Sequence, residues 1–250
     1  MFTIKSPLQY FPMKVGDYDL SYDKKNNQYL LFEKGYSWMG YDQNSYWQST
    51  EFYIELCKAT RVCITTGLGL GILQTHLCLK EDVTKVIVYE KSLDVIEIFY
   101  RLIEYNKFDI SKIEIRNENA DTITGQMCDC LYPDHFSTEP ENYIINIVKN
   151  LSYNNQANLV WYWPAGHHFI KFILKNNLSI TPESYELWKN YTNIKNLPEN
   201  FEKNIFSYFI ELYDIYKSSR TGMFRDQIVS IEQRNKLLSY SKKIKKNINL

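Results

Sequence analysis

Arg61-Val-Cys-Ile-Thr-Thr-Gly-Leu-Gly-Leu-Gly71 reads as a strand running straight into a turn in which glycine alternates with leucine. Ile72 to Lys80 then takes on helical spacing. A strand that reverses sharply into a helix needs positive φ, which glycine permits. It also needs no Cβ where a ligand is brought against the backbone. Lys85-Val-Ile-Val-Tyr-Glu90 follows as a second buried strand, and its last residue is an acid 23 positions beyond Gly67. In nucleoside-binding Rossmann-type sheets an acid about 20 residues past the first glycine accepts hydrogen bonds from ribose hydroxyls. Strand, turn, helix, strand and acid in this register place an adenosine-like moiety across the first two strands. The competing reading is a plain strand-to-helix turn with Glu90 solvated. Gly67, Gly69 and Gly71 alternate strictly, so the Gly-x-Gly-x-x-Gly spacing of a dinucleotide fingerprint is missing. No Gly-Lys-Ser/Thr follows, which excludes a phosphate-cradling P-loop.

The same alternation continues downstream. Leu93 to Asn106 reads as a helix, Ile113 to Arg116 as a third strand and Met127 to Tyr132 as a fourth, followed by Pro133-Asp-His-Phe136. Tyr143 to Leu151 is helical, and Asn158 to Trp163 is a fifth strand closed by Pro164-Ala-Gly166. Strands and helices in this order predict an α/β fold, a mostly parallel Rossmann-like sheet with helices on both faces. Upstream, Tyr18 to Tyr22 and Tyr29 to Phe32 flank the polar cluster Asp23-Lys-Lys-Asn-Asn27, a hairpin signal. Phe52, Leu56 and Ala59 give Tyr46 to Ala59 a helical period. Beyond Pro182 only helices are expected, over Ser184–Tyr191 and Phe201–Tyr216, and the chain closes on a basic tail that reads as a solvated helix end. The expected division is a strand-rich lid over 1–50, a Rossmann-like domain over 51–181 and a helical extension over 182–250.

Composition narrows the function. Lys+Arg and Asp+Glu number 29 each in 250 residues, so bulk electrostatics gathers no polyanion and no nucleic-acid groove is signalled. With 44% hydrophobic and 23% charged residues, disordered and collagen-like chains are excluded. The aromatic content of 16% reads as codon bias, so Trp161, Tyr162 and Trp163 are taken as core by default. No apolar run reaches about 18 residues, so no membrane span is expected. Met1-Phe-Thr-Ile-Lys-Ser-Pro7 lacks the pattern of a signal peptide, and a cytoplasmic location is expected. Cys57, Cys63, Cys78, Cys128 and Cys130 then read as reduced core residues. Cys128, Cys130 and His135 are close in sequence. Yet Cys-x-Cys within a strand points both thiols to one buried face, and no second pair stands at zinc spacing, so no metal is expected.

Val62-Cys-Ile-Thr-Thr-Gly67-Leu-Gly-Leu-Gly71 and Val86-Ile-Val-Tyr-Glu90 resemble the first two motifs of class I S-adenosylmethionine-dependent methyltransferases. The flavour is that of the spermidine-synthase-like branch, which includes small phage-encoded members with a Gly-Leu-Gly-Leu-Gly turn. The resemblance covers roughly residues 45–175 and implies a role for each matching position. Gly67, Gly69 and Gly71 would line the methionine and ribose part of S-adenosylmethionine, and Glu90 would hold the ribose hydroxyls. Asn119, followed by Ala120, stands where the family has an Asp contacting the adenine amino group; it keeps a carbonyl acceptor but loses the charge. Asp129-Cys-Leu-Tyr-Pro-Asp134 resembles the fourth strand, with Asp134 facing the sulfonium and the substrate. The region 51–181 would then be the cofactor-binding domain.

Transfer from a sulfonium is an in-line displacement whose leaving group is already activated. The protein has to bind, align and, where needed, deprotonate the acceptor. Asp134 and His135 are the candidate catalytic residues, although His135 reads equally well as a partly exposed loop histidine. His167 and His168 are further candidates, for which helix capping or packing is the better reading. Methyl transfer to a small-molecule or peptide-borne acceptor is the expected reaction, with a homodimer as an option. Aminopropyl transfer from decarboxylated S-adenosylmethionine, releasing methylthioadenosine, is the runner-up. There the fourth strand of the family ends in Asp-Ser/Thr-Ser/Thr-Asp-Pro, and its first acid, which assists the amine, falls at Asp134; the second acid and the proline are absent. The Asp/Asn-Pro-Pro-Tyr/Phe run of nucleic-acid amino-methyltransferases is missing as well. A non-catalytic module that holds the cofactor is the third reading.

Overall fold

Asp23 closes the amino-terminal hairpin by accepting from the Lys25 and Asn26 N–H groups at 2.9 and 3.4 Å, and Asn27 takes the left-handed conformation at φ 54°. In the computed structural model, which describes residues 6–42, 56, 58–136, 139–198 and 209, this turn joins β2 (Tyr18–Asp23) to β3 (Gln28–Glu33). β1 (Met13–Val15) and β4 (Tyr36–Asp42) complete an antiparallel sheet of order β1-β2-β3-β4. Leu20 and Leu31 are direct cross-strand partners and fully buried, so this sheet has an apolar inner face.

The second sheet carries the site. β5 (Arg61–Thr66), β6 (Val83–Tyr89), β7 (Ile113–Arg116), β8 (Met127–Pro133) and β9 (Gln156–Val160) pair in parallel in the order β7-β6-β5-β8-β9. α1 (Ile72–Leu79) joins β5 to β6, α2 (Leu93–Asn106) joins β6 to β7, and α3 (Glu141–Asn154) joins β8 to β9. The first two crossovers step one way along the sheet and the last steps the other way. With one handedness for all three, α1 and α2 fall on one face and α3 on the other. This is the doubly wound Rossmann-like arrangement, and its strand order reverses between β5 and β8, where such sheets open a crevice at their carboxyl edge.

Local chemistry fixes the element ends. The Ser92 hydroxyl caps α2 by accepting from Val95 N–H at 3.3 Å. Val95, Ile98, Phe99 and Leu102 form its buried stripe against the core strands. At the opposite edge of the sheet, Asp129 accepts from the Arg61 guanidinium and from Val62 N–H at 3.1 Å, which ties the starts of β8 and β5 together. The fifth strand ends earlier than its sequence predicts. Trp161 and Trp163 still donate to Leu131 and Pro133 carbonyls at 3.1 Å, but Pro133 has no N–H to extend the ladder. Residues 194–197 run along this edge strand, with Val160 N–H donating to Asn196 O at 2.9 Å. Trp161 and Tyr162 are fully buried.

The described residues up to Trp163, with Ile194–Leu197, form one compact unit; those from Pro164 to Asn193, with Pro198 and Phe209, belong to a second. In the second, α4 (Ala165–Lys175) and α5 (Pro182–Thr192) pack through Phe169, Tyr185, Trp188 and Phe209, with ring centroids 5.2–5.6 Å apart. Thr181 and Ser184 form a reciprocal capping box at the start of α5. His167 and His168 lie in the first turn of α4, and burial pushes them down to about 4 and about 3. Both are neutral in the fold but ionise below about 6.5 once unfolded. Stability is therefore expected to fall as pH drops from about 6.5 toward 4, and His168→Gln should flatten that slope in thermal melts. The expected helices over Tyr46–Ala59 and Phe201–Tyr216, the basic tail and Cys57 lie outside the described residues, apart from Leu56, Lys58, Ala59 and Phe209. Among the described residues no helix is long and apolar enough to cross a membrane.

Candidate functional site

Four strand ends meet at the carboxyl edge of the parallel sheet, and each delivers residues singled out above. Gly67, Gly69 and Gly71 follow β5, Glu90 follows β6, Asn119 follows β7, and Asp134 and His135 follow β8.

The glycine turn is held from several sides. Gly67 N–H donates to Tyr89 O at 2.8 Å, so the turn begins as an extension of the β5–β6 ladder. Gly67 has φ +79°, and a Cβ there would lie 2.5 Å from Asp134 O and 3.0 Å from His135 Cα. The backbone after β8 therefore rests directly on the turn after β5. A Cβ on Gly69 would instead run into the thioether of Met39 on β4, and one on Gly71, which begins α1, would run into the Phe99 ring of α2. The Tyr10 hydroxyl donates to Leu70 O at 3.1 Å. Gly67→Ala is expected to cost about 2–4 kcal/mol, from a strained φ and a backbone that cannot retreat. Gly69→Ala, which meets only a flexible side chain, should cost about 1–2 kcal/mol, chiefly from φ. Urea unfolding of the two variants reads the difference, and equal losses would mean that the Asp134 contact is soft.

Glu90 is the anchor of the edge. Its side chain is 4% exposed. Oε2 accepts from Leu68 N–H in the glycine turn at 2.9 Å, and Oε1 accepts from Ser92 N–H at 2.8 Å. Two backbone donors justify the burial of a carboxylate that meets no cation among the described residues. Each oxygen retains one further acceptor lone pair, so the group can still receive a pair of hydroxyl donors. The sequence alternative of a solvated Glu90 is not what the structure shows. Tyr18, itself 5% exposed, places its phenol by the Ser92 hydroxyl and the carboxylates of Glu33 and Glu90, and burial raises it. Strands β2 and β4 thus contribute Tyr18 and Met39 beside the turn and its acid.

Asn119 is exposed, and its Oδ1 accepts from Asp121 N–H at 3.1 Å, capping the 3-10 turn Ala120–Thr122. The lone carbonyl acceptor that the resemblance assigns to adenine already serves a backbone donor, with one lone pair left over.

Asp134 differs in kind. Its N–H is shared between Thr66 O at 3.0 Å and Thr66 Oγ1 at 3.1 Å. Its half-buried carboxyl has no hydrogen-bond or ionic partner among the described residues, and burial alone pushes it up to about 7. An unpaired acid at the end of a strand next to the switch point can exchange a proton near neutrality. His135 Nδ1 lies 2.5 Å from Thr66 Oγ1, and its Nε2 lies 2.8 Å from Asp121 Oδ1. Burial lowers its proton affinity against the pull of Asp121. Thr66 and Asp121 were missed from sequence. Thr66 reads as an ordinary strand residue, and Asp121 as one acid among many two positions after Asn119.

Cys63, Cys78, Cys128 and Cys130 are all buried free thiols. A concavity of about 470 Å³ lies on the amino-terminal sheet, lined by residues that include Lys14, Asp17, Asp19, Phe32 and Lys34. Neither the glycine turn nor Glu90 nor Asp134 lines it.

No protein-family model matches the sequence, and no curated protein is similar to it at a significant level. Among solved structures the chain is similar to spermidine synthase from Thermotoga maritima, at 14% identity over 60% of this chain and 55% of that one, with a TM-score of 0.46. A spermidine synthase in complex with the transition-state analogue AdoDATO gives 13% identity over 60% and 55%, with a TM-score of 0.45. Coclaurine N-methyltransferase bound to N-methylheliamine and SAH gives 13% over 48% and 36%, with a TM-score of 0.38. The chain spans little more than half the length of the two synthases. Spermidine synthases and S-adenosylmethionine-dependent methyltransferases are both among the solved structures this chain is similar to, and its Rossmann-like sheet rests on its own strand order.

Proposed function

We propose that the chain is an S-adenosylmethionine-dependent transferase that passes a methyl group to a small-molecule or peptide-borne acceptor. The observation that carries this reading is the contrast between two acids at the same sheet edge. Glu90 is satisfied by backbone donors yet has acceptor capacity to spare, whereas Asp134 is half-buried with no partner for its carboxyl among the described residues. The first suits the fixed grip on a sugar diol, and the second suits a group that must gain and lose a proton.

The residues fit the cofactor at Glu90, whose oxygens accept from Leu68 and Ser92 N–H and can each accept one more hydroxyl donor. When bound, the cofactor supplies an activated methyl group on a sulfonium. Glu90 would orient the ribose and Asn119 would meet the adenine edge. Asp134 would hold the acceptor atom in line and take its proton, which frees the lone pair that attacks. Tyr18 and Met39 would limit the water that reaches the edge.

Isothermal titration with S-adenosylmethionine, its demethylated product and methylthioadenosine tests the reading, together with mass spectrometry of what co-purifies with the protein. Failure of all three to bind would overturn it. Met39 lies over Gly69, so Met39→Ala should tighten nucleoside binding severalfold by removing a side chain that must swing aside. Unchanged affinity would place the ligand elsewhere. The second reading is aminopropyl transfer, favoured by the unpaired carboxyl of Asp134 at the position of the amine-assisting acid. Turnover with decarboxylated S-adenosylmethionine and a diamine, but not with the parent cofactor, would select it. Binding without turnover on any acceptor would instead select a non-catalytic module.

A further inference from the structure

We propose that His135 is a positioning residue: its imidazole, anchored by Asp121 and linked through Thr66, holds the Asp134 segment against the glycine turn. The inference deepens the proposed function by explaining how Asp134 is kept apart from water, and it uses that reading only for the purpose of the device.

A chain of hydrogen bonds connects the loop after β7 to the backbone after β8. Asp121 Oδ1 and His135 Nε2 are 2.8 Å apart, His135 Nδ1 and Thr66 Oγ1 2.5 Å, and Thr66 Oγ1 and Asp134 N 3.1 Å. The donors sort themselves in one direction. A carboxylate only accepts, so Nε2 carries the proton of the neutral ring and donates to Asp121. Nδ1 is then bare and accepts the Thr66 hydroxyl proton. The Thr66 oxygen, its own proton so committed, has its lone pairs free for the Asp134 N–H. The tautomer at one end thus dictates the hydroxyl orientation in the middle and a backbone bond at the other end.

The segment so held is the one that presses on Gly67, where a Cβ would collide with Asp134 O and His135 Cα. Close packing here limits the water around the half-buried Asp134 carboxyl, and desolvation is the sole cause of its raised proton affinity. The charged groups that face His135 are Asp121 and Glu139, which favour its protonation, and Lys91, which opposes it. Burial outweighs them, so the ring is neutral at physiological pH and the one-way chain is intact. The anchor also stands next to Asn119, whose Oδ1 holds the Asp121 N–H. The relay therefore runs from the turn assigned to adenine to the acid assigned to the acceptor.

Nuclear magnetic resonance of the full chain tests this without substrate. Imidazole nitrogen shifts of the wild type should report the Nε2-protonated tautomer of His135, and the Asp134 carboxyl carbon should titrate near 7. In both Asp121→Asn and His135→Gln, the Asp134 midpoint should fall by about one pH unit or more as water reaches the loosened segment. The second variant removes no charge from a neutral ring, so it separates positioning from a through-space effect of Asp121. An Nδ1-protonated ring would overturn the proposal, as would an Asp134 midpoint that stays in place in His135→Gln. The wild-type tautomer needs no variant to fold. If the midpoints move as expected but no nucleoside sulfonium binds, the positioning role stands and the proposed function falls; the converse result separates them in the other direction.

Discussion

Asp134→Asn is expected to make the protein more stable and, on the proposed function, nearly inactive. Burial holds this carboxyl up to about 7, against an ordinary value of 3.8. The sign follows from linkage. The folded state binds its proton more tightly than the unfolded state does, so the group's contribution worsens as pH rises through 3.8 and levels off only above about 7. At about 1.4 kcal/mol for each pH unit between the two values, the ionised acid costs the fold about 4 kcal/mol at pH 8. An amide of the same shape carries no charge, so the variant should gain a large part of that at pH 8 and little below pH 4. Transfer should fall by about 10²–10⁴-fold if Asp134 is the base, and wild-type turnover should climb with pH to a plateau above about 7. Thermal melts at pH 4 and pH 8, run beside a turnover assay, decide both halves. A melt indifferent to pH would show that the carboxyl is hydrated, and undiminished turnover would remove Asp134 from the chemistry.

Glu90→Ala should damage fold and ligand binding together. Its two oxygens satisfy the buried N–H of Leu68 and the part-buried N–H of Ser92, and orphaning a buried donor costs about 1–3 kcal/mol. Leu68 sits inside the glycine turn and Ser92 caps α2, so the turn and the start of that helix loosen at once. Nucleoside affinity should drop by a further 1–3 kcal/mol or so, from lost charged hydrogen bonds to the sugar. Glu90→Gln separates the two effects, because its amide oxygen can keep one backbone donor while the charge is gone. Calorimetric titration of a folded Gln variant with nucleoside affinity equal to wild type would mean that the sugar is not held there.

The elements whose pattern is strongest in the sequence are placed where expected. β5, with its dense apolar and β-branched residues, β7, where isoleucine alternates with charge, and α2, with its apolar stripe, have the bounds read from sequence. Edges set by long-range bonding were less legible. β9 stops at Val160 because the proline ending β8 cannot donate across to it, which nothing in residues 158–163 announces. α3 runs from Glu141 to Asn154, past the apolar window that marked it.

At the candidate site, the glycines and Glu90 could be read because a strand-to-helix reversal and a strand-terminal acid are local events with fixed spacing. The partners of His135 could not. Thr66 and Asp121 lie 69 and 14 residues away from it in the chain; Thr66 meets it because strand order sets β5 beside β8, and Asp121 because the turn after β7 reaches the same carboxyl edge. Met39 and Tyr18 are equally silent in sequence, since no periodicity says which residues of one sheet will rest on the turn of another.

Sequence by itself therefore determined the Rossmann-like α/β class, the turn at Gly67–Gly71 and the acid that ends β6, all products of short-range conformational preference. Only the tertiary structure decided the state of each acid. Whether a carboxyl is gripped by amides, like Glu90, or left half-buried without a partner among the described residues, like Asp134, depends on groups far along the chain that fix its solvation.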